Sequence, residues 1–526
     1  MLQDLFNAAL ADLQHQRFAD AEKKLQRLLR KKMSPAESAS VYSLLGATYG
    51  SWGRHGVAVK SLQKAADLAP ADQNILINLC ISLTRTGAPD RAIDVGRRAV
   101  EANPENEEAH YNLALALKNS GALTEAADAY NDALRVRHDF SAAHNGLGGV
   151  FMEKGDLDAA IACFKRAVEA RPDYAIALNN LGLASREAGN PDAAIEYFRT
   201  SLQKNPKAYL TYNNLGHVYR DRMDWDLALE NYRKALELNH SFLEAQDNIG
   251  HVLRHQGNYL AAIEAYELAD LPLSRAEILG CYYGLGDIDA LQRYEQENRE
   301  RDKHNLSMAA MCDFAFTQHS RDNPHPFCPQ PLRFVRISTA DKYVDDVDAL
   351  ANVAIAEICN LPSVWEPLGA TTQNGFQTRA NLFRMAGPQT GKIEEIFRAE
   401  IEAYRDEYAG SETLLIEDWP TKFTLNAHAV RLQTGGHQSA HFHASGWVSG
   451  VFYLKLVDSD DPDEGAILFG PDGYDHPKVK DEVPSLLHQP TRGDIVIFPS
   501  SLFHQTIPIR NDGERIIIAF DLVPEG

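Results

Sequence analysis

The chain has few cysteines, no long apolar run and no excess of positive charge, and each absence excludes a class of protein. Six scattered cysteines without C-x-x-C spacing are typical of reduced thiols and exclude a disulfide framework or a zinc ribbon. No run of about 18 apolar residues occurs, and the start Met1-Leu-Gln-Asp-Leu-Phe lacks the features of a signal peptide. We therefore expect a cytoplasmic protein without a membrane partner. The net charge of −21 disfavours nucleic acid as a partner.

The first half of the chain is an array in which small residues recur every 34 positions. Such residues let two antiparallel helices approach closely, and each hairpin leaves an apolar face that its neighbour covers. The pattern resembles tetratricopeptide repeats and predicts seven registered hairpins, with an irregular eighth at Leu5–Leu29. The three series are Ala58, Ala92, Ala126, Ala160, Ala194, Ala228 and Ala262; Gly46, Cys80, Ala114, Gly148, Gly182, Gly216 and Gly250; and, in the hairpin loops, Gly53, Gly87, Gly121, Gly155, Gly189 and Gly257, with Met223 as the exception.

A series of asparagines recurs with the same spacing, two residues before the small residue of the first helix. Its members are Asn78, Asn112, Asn180, Asn214 and Asn248. By the resemblance, this position lies on the helix that lines the concave surface, where amides can hydrogen-bond the backbone of an extended peptide. The alternative is that these asparagines hold the helices of the array together. The first interpretation predicts a protein or peptide partner bound by the repeats.

The repeat register fails after residue 270, which indicates a change of domain. Residues 271–331 are predicted to form capping helices and a stiff, proline-rich spacer that contains four prolines between Asp322 and Pro331. Residues 332–526 follow as the C-terminal domain. It opens with the strand-like run Phe334-Val-Arg-Ile, and two amphipathic helices follow, with apolar residues from Val347 to Ile358 and from Ile393 to Tyr404. Short strands separated by Gly, Asp and Pro turns come next and are typical of a barrel or sandwich.

Histidines near the ends of two predicted strands suggest a metal site in that domain. The sequence Gly435-Gly-His-Gln-Ser-Ala-His441-Phe-His443 precedes the strand-like run that starts at Trp447, and His504 follows the run Ile495-Val-Ile-Phe. In an H-x-H pair on a strand, both imidazoles point to the same side because side chains alternate. A third imidazole from a neighbouring strand would complete a site that holds a transition metal with open positions.

The region from about residue 330 to 526 resembles the 2-oxoglutarate- and Fe(II)-dependent dioxygenases, in the branch with H-x-H, S-G-V-x-Y-L and F-P-S-x-x-x-H segments. Gly375-Phe-Gln-Thr-Arg379 also matches that branch. The resemblance implies that a double-stranded β-helix (jelly roll) follows the all-α repeat superhelix in the chain. It also implies Fe(II) as cofactor and 2-oxoglutarate as cosubstrate. His441 and His504 would be iron ligands. Arg515 would bind the distal carboxylate of 2-oxoglutarate, and Tyr453 would hydrogen-bond the same group.

One residue departs from the family pattern, His-x-Asp/Glu, because His443 occupies the place of the carboxylate. His443 is either the third ligand or a residue behind a two-histidine site. No separate catalytic side chain is expected beyond the metal and cosubstrate residues. We predict an oxygenase that hydroxylates a protein or peptide recruited by the repeats. The alternatives are a cupin-type metal dioxygenase and an interaction scaffold with an inactive barrel.

Overall fold

The computed structural model describes residues 2–525, except 362, 367–370, 379–380, 386, 460, 471, 473 and 475. The chain divides into two compact units, Met1–Ser185 and Arg186–Gly526. The second unit contains the last repeats, the capping helices and the whole β-domain. In the described part of the chain, no helix has both the length and the apolar character that a membrane span requires.

Sixteen helices, joined in pairs by short loops, form the repeat array, as the 34-residue period predicts. Their bounds are α1 Leu2–Gln14, α2 Phe18–Leu29, α3 Pro35–Ser51, α4 His55–Leu68, α5 Gln73–Arg85, α6 Pro89–Ala102, α7 Glu107–Asn119, α8 Leu123–Val136, α9 Ser141–Lys154, α10 Leu157–Ala170, α11 Ala175–Glu187, α12 Pro191–Lys204, α13 Tyr209–Asp221, α14 Trp225–Leu238, α15 Leu243–His255 and α16 Tyr259–Ala269. The first pair, α1 and α2, is the irregular unit predicted at Leu5–Leu29.

The small residues have the packing role that the spacing indicates. A Cβ added at Gly148 would lie 2.6 Å from the Phe164 ring, and the same addition at Gly250 would lie 2.6 Å from the Tyr266 ring. The hairpin loops need a left-handed residue, which glycine adopts without a steric cost. Met223, the exception in the loop series, nevertheless has a positive φ of 61°. The repeat backbone therefore imposes this conformation even where the sequence offers no glycine.

Three further helices continue from the array, namely α17 Pro272–Gly284, α18 Ile288–Asp302 and α19 Leu306–Gln318. Almost every side chain of α19 is buried. The proline-rich stretch, which is predicted to be a stiff spacer, follows and packs against the β-domain: Phe327 and Cys328 are buried in its core. Prolines set the local backbone angles, but they do not prevent neighbouring apolar side chains from being buried.

The β-domain consists of two antiparallel sheets. Its strands are β1 Arg336–Thr339, β2 Ser363–Trp365, β3 Thr372–Thr378, β4 Phe423–Gln438, β5 Val448–Lys455, β6 Ile467–Phe469, β7 Leu486–His488, β8 Asp494–Pro499, β9 His504–Thr506 and β10 Arg515–Pro524. The large sheet has the order β1-β8-β5-β10-β4-β3-β2 and the small sheet β7-β6-β9. From β4 onward the chain passes repeatedly between the sheets, as expected for a double-stranded β-helix.

Helices cover the outer face of the large sheet. They are α20 Val347–Cys359, α21 Leu382–Met385, α22 Pro388–Glu407 and α23 Leu414–Glu417. The apolar stripes predicted on α20 and α22 belong to one core with the sheet, in which Phe397 stacks on Phe520 of β10 at 4.2 Å between ring centroids. A Cβ at Gly450 would collide with Phe520, which explains the glycine in the S-G-V segment. The inner face of the large sheet packs on the small sheet, and this inner space contains the candidate site.

Candidate metal centre

Backbone pairing brings the three predicted histidines together. His441 and His504 form a β-bridge in which each backbone N–H donates to the carbonyl of the other, at 3.0 and 2.9 Å. The backbone N–H of His443 donates to the carbonyl of Ser500 at 2.8 Å. One potential ligand atom from each imidazole lies within 4.8 Å of the other two. The site is therefore assembled between the segment after β4 and the segment from β8 to β9.

Hydrogen bonds determine which nitrogen of each ring is available to a metal. His441 Nδ1 donates to the carbonyl of Ser439 at 2.7 Å, and His504 Nδ1 donates to the carbonyl of Leu502 at 3.1 Å. A carbonyl oxygen only accepts, so both Nδ1 atoms carry the proton and both Nε2 atoms keep a free lone pair. Two imidazoles anchored in this way, with the ring of His443 beside them, are suited to hold a transition metal.

Burial keeps two of the rings neutral at physiological pH. It lowers the pKa of His441 to about 3 and that of His504 well below its ordinary value, with the neighbouring imidazoles adding to both shifts. Neutral imidazole is the form that binds a metal. Phe498 and Phe469 pack on His504, at 4.5 and 6.1 Å between ring centroids, and shield it from water.

His443 differs from the other two because its Nδ1 meets a carboxylate. Nδ1 lies 2.7 Å from Oδ1 of Asp521 on β10. Burial opposes the charged form of His443, but the negative charge and hydrogen bond of Asp521 raise its pKa. Asp521 also accepts from the Ser449 hydroxyl at 2.6 Å, and that hydroxyl lies 2.7 Å from Ser500 Oγ.

Sequence reasoning missed this polar cluster, although a signal for it existed. Asp521 follows the apolar run Ile516–Phe520, and strand alternation places it on the same face as Arg515. An aspartate on the inner face of an otherwise apolar strand indicates a specific partner. His428 on β4 lies near it, and burial lowers the pKa of His428 to about 4.

Arg515 and Tyr453 have the incomplete polar contacts expected of a ligand site. Arg515 is 2% exposed, and its guanidinium lies 5.0 Å from the Tyr453 ring centroid. Its Nη1 donates to the carbonyl of Gly465 at 2.8 Å, whereas Nε and the Tyr453 hydroxyl have no hydrogen-bond partner. Among the described residues, no carboxylate pairs with Arg515. A buried cation without a counterion is costly, which favours an anionic ligand here.

The structure distributes the other predicted site residues differently. Asn112 and Asn248 are buried, and their amides donate to Glu108 of the same helix at 2.7 Å and to Asn213 of the preceding repeat at 3.1 Å. Asn180 is half-buried and donates to Asn145 at 3.0 Å. Asn78 and Asn214 are also half-buried. Arg379, from the motif after Gly375, lies outside the described residues.

Comparison with known families agrees with both parts of the chain. A family model described as "Putative 2OG-Fe(II) oxygenase" matches residues 426–521, which contain the histidines, Tyr453, Arg515 and Asp521. Tetratricopeptide-repeat models match residues 6–73, 51–107, 79–142, 145–209, 209–242 and 243–270. The chain is a tetratricopeptide-repeat protein with a C-terminal 2OG-Fe(II) oxygenase domain. That oxygenase family uses Fe(II) and 2-oxoglutarate, and the three histidines form a group that can bind the metal.

Similar solved structures include two that are described as tetratricopeptide-repeat proteins. MamA is 26% identical, with coverage of 31% of this chain and 95% of MamA and a TM-score of 0.28. A tetratricopeptide-repeat protein from Parabacteroides merdae is 17% identical, with coverage of 48% and 98% and a TM-score of 0.42. YrrB, a repeat protein with an unusual peptide-binding site, is 22% identical, with coverage of 36% and 96% and a TM-score of 0.29. None of the curated proteins matches the chain.

Proposed function

We propose that the chain is a 2-oxoglutarate- and Fe(II)-dependent oxygenase that hydroxylates a protein or peptide recruited by its repeats. The observation that carries the proposal is the group of three imidazoles between the two sheets, together with buried polar atoms of Arg515 and Tyr453 that have no partner. One ring nitrogen from each of His441, His443 and His504 lies within 4.8 Å of the other two, while Arg515 and Tyr453 lie in the same interior without an anion. Such groups are costly unless a ligand completes them.

Each of these residues has a distinct role in the proposed site. The three histidines would hold Fe(II), and Arg515 would bind the distal carboxylate of 2-oxoglutarate through its planar guanidinium. Burial raises the pKa of Tyr453 to about 12, so its hydroxyl stays protonated and donates to the same carboxylate. When bound, Fe(II) and 2-oxoglutarate together supply the activation of dioxygen. Phe469 and Phe498 keep water away from His504 on the inner side.

The contact between the capping helices and the metal segment supports a macromolecular substrate. Phe442 lies between two of the predicted ligands and Phe503 precedes the third, and both pack in one apolar cluster with residues of α17 and α19. The helices that continue the array therefore lie directly behind the metal segment. In the functional division that we propose, residues 1–270 recruit the substrate, 271–331 join the two parts, and 332–526 oxidise it.

A cavity of about 230 Å³ lies at this junction and is large enough for one substrate side chain. Leu273 and Ala276 of α17, Met311 of α19, and Phe442 and Phe503 of the β-domain contribute to its walls. His476 also lines it, with its ring centroid 5.8 Å from that of Tyr283. We propose that this cavity anchors a side chain next to the residue that is hydroxylated.

The asparagine series remains a candidate peptide contact only in part. Asn112 and Asn248 are buried and bonded internally, so they offer little to a partner. The half-buried members Asn78, Asn180 and Asn214 keep surface that a peptide backbone can reach. We propose these three as the contacting residues.

The test is to incubate the anaerobically loaded protein with oxygen and a peptide library, and to measure succinate release and incorporation of oxygen into peptide. His504→Ala should abolish both signals. Leu273→Glu, at the cavity, should reduce peptide turnover while leaving metal binding intact. Leu285→Glu is the matched control, because Leu285 is a similarly exposed leucine at the other end of α17 and does not line the cavity. Peptide oxidation by His504→Ala, or equal losses in both leucine variants, would contradict the proposal.

A further inference from the structure

His443, the third residue of the H-x-H segment, changes the total charge of the proposed ligand set. Where the resembled family has a carboxylate ligand, this chain has His443, so the proposed ligand set lacks one negative charge. Asp521 supplies a carboxylate in direct contact with the outer nitrogen of that imidazole, at 2.7 Å. The carboxylate is therefore present, but one side chain further from the metal position.

The contact is part of a built cluster rather than an isolated surface pair. Asp521 is 8% exposed and accepts from both His443 and Ser449. Ser449 is bonded to Ser500, whose carbonyl accepts the backbone N–H of His443. The four residues form a closed ring of hydrogen bonds. A Cβ at Gly446 would lie 2.6 Å from Ser500 Oγ and 3.1 Å from Asp521 Oδ1, so the cluster also leaves no room for a larger residue.

The other two histidines provide an internal comparison. The Nδ1 atoms of His441 and His504 donate to neutral backbone carbonyls. Only His443 donates to a charged acceptor. A charge-assisted hydrogen bond to a carboxylate makes the opposite ring nitrogen a more electron-rich ligand. His443 is thus the one imidazole of the three that can transmit negative charge to the metal.

We propose that Asp521 supplies, through His443, the negative charge that a ligating carboxylate provides in related oxygenases. Asp521 is a positioning residue in this account, because it acts on the metal through the imidazole. The inference rests on the proposed iron site. It differs from a purely structural role, since it requires the charge of Asp521 and not only its shape.

Charge and shape can be separated by substitutions at two positions. Asp521→Asn keeps the size and one acceptor oxygen but removes the charge. His443→Asp moves a carboxylate to the ligand position and leaves it beside Asp521, where two like charges oppose each other. Combining the two substitutions restores a single carboxylate. Asp521→Asn should therefore weaken metal binding in the natural chain and strengthen it in the His443→Asp background.

The experiment is calorimetric titration of the full chain with Co(II), which also reports its ligands through visible absorption. Asp521→Asn should lower the affinity by about 10- to 100-fold, the usual effect of losing an outer partner of a ligating histidine. Asp494→Asn is the matched control, because Asp494 forms a similarly buried pair with His488, at 3.1 Å, away from the three histidines. The Co(II) affinity of Asp494→Asn should be unchanged. The double variant His443→Asp/Asp521→Asn should bind Co(II) more tightly than His443→Asp alone.

Three results would overturn the inference. Natural affinity in Asp521→Asn would show that the charge is not transmitted, and an equal loss in both backgrounds would show a structural role only. Absence of Co(II) binding by the natural chain would remove the iron site itself, which distinguishes that failure from the others. If Asp521→Asn does not fold, the Co(II) affinities of His443→Asp and His443→Asn test the inference instead. The inference predicts that His443→Asp binds Co(II) no more tightly than His443→Asn, and tighter binding by His443→Asp would contradict it.

Discussion

The repeat array and the interior of the β-domain both contain rows of polar side chains, but they satisfy them differently. In the array, Asn112, Asn180 and Asn248 donate to groups of their own or the preceding repeat. Between the sheets, Arg515 and Tyr453 have polar atoms without partners. The difference separates two kinds of pattern. A periodic polar residue that is bonded within the array needs no ligand, whereas partnerless atoms on Arg515 and Tyr453 beside a group of three imidazoles favour one.

The largest expected effect is the loss of metal binding when a histidine of the cluster is removed. His504→Ala removes one of three nitrogen ligands and should reduce Co(II) affinity about as much as His441→Ala does, since both rings belong to the same group of three imidazoles. Calorimetry measures the affinity. His488→Ala is the control, because His488 lies on the small sheet outside the cluster. Natural affinity in His504→Ala would contradict the site.

A smaller effect, on stability, is expected at Asp313, a buried carboxyl group outside the proposed ligand site. Asp313 is buried in α19, and burial raises its pKa to about 7 despite a favourable contribution from Asn323. In the unfolded chain the Asp313 carboxyl ionises near pH 4, so the folded state loses stability as pH rises from about 4 to about 7. Asp313→Asn should therefore raise the unfolding free energy by on the order of 2–4 kcal/mol above pH 7.

That gain should shrink toward pH 4, where Asp313 is protonated in both states. Chemical denaturation of the natural chain and the variant at pH 4.5 and pH 8 gives the comparison. A pH-independent difference would show that Asp313 keeps an ordinary pKa. Asp289→Asn is the control, because Asp289 is exposed and paired with Arg321.

A loss of about 1 kcal/mol is expected when an internally bonded asparagine of the array is truncated. Asn248→Ala removes the bond to Asn213 in a buried position and should lower the melting temperature. Asn78→Ala, at a half-buried position, should cost less and should instead weaken peptide binding if Asn78 contacts the partner. Equal melting temperatures for the two variants would remove the distinction between packing and binding members of the series.

The smallest effect concerns the loop where the repeat pattern lacks its glycine. Met223 adopts a positive φ and is 71% exposed, so Met223→Gly relieves backbone strain without removing buried surface. Left-handed backbone costs about 1 kcal/mol or more in a residue with a side chain. The variant should have a slightly higher melting temperature. Gly257→Met, the reverse change at an equivalent loop, should lower it.

The sequence predicted the repeats more completely than the site, and the reason is physical. The 34-residue spacing repeats the same local contacts, so Gly148 beside Phe164 and Gly250 beside Tyr266 follow from one rule. Contacts inside the β-domain join segments far apart in the chain, such as His443 and Asp521. The local pattern marks Asp521 as an unusual aspartate on an apolar strand, but it does not indicate that His443 is its partner. Motif resemblance suggested the histidines, Arg515 and Tyr453, but it contained no information about Asp521.

The same limit applies to the proline-rich stretch. Composition indicated a stiff spacer, but Phe327 packs at 5.0 Å from the ring of Trp447, a residue more than a hundred positions later. Burial of this kind depends on which surfaces the fold brings together. Glu464, in the segment between β5 and β6, is likewise buried, and its carboxylate accepts the backbone N–H groups of Arg510 and Asn511 at 2.5 and 2.6 Å.

The most direct test of the account is the binding of 2-oxoglutarate to the anaerobic, metal-loaded protein, measured by calorimetry for the natural chain and for Arg515→Ala. If Arg515 binds the distal carboxylate, its loss should cost on the order of 2–4 kcal/mol, or about 30- to 1000-fold in affinity, and lysine should recover only part of it. Tyr453→Phe should cost less, and Arg431→Ala, whose guanidinium already pairs with Glu514, should change nothing. Unchanged 2-oxoglutarate affinity in Arg515→Ala would contradict the central claim.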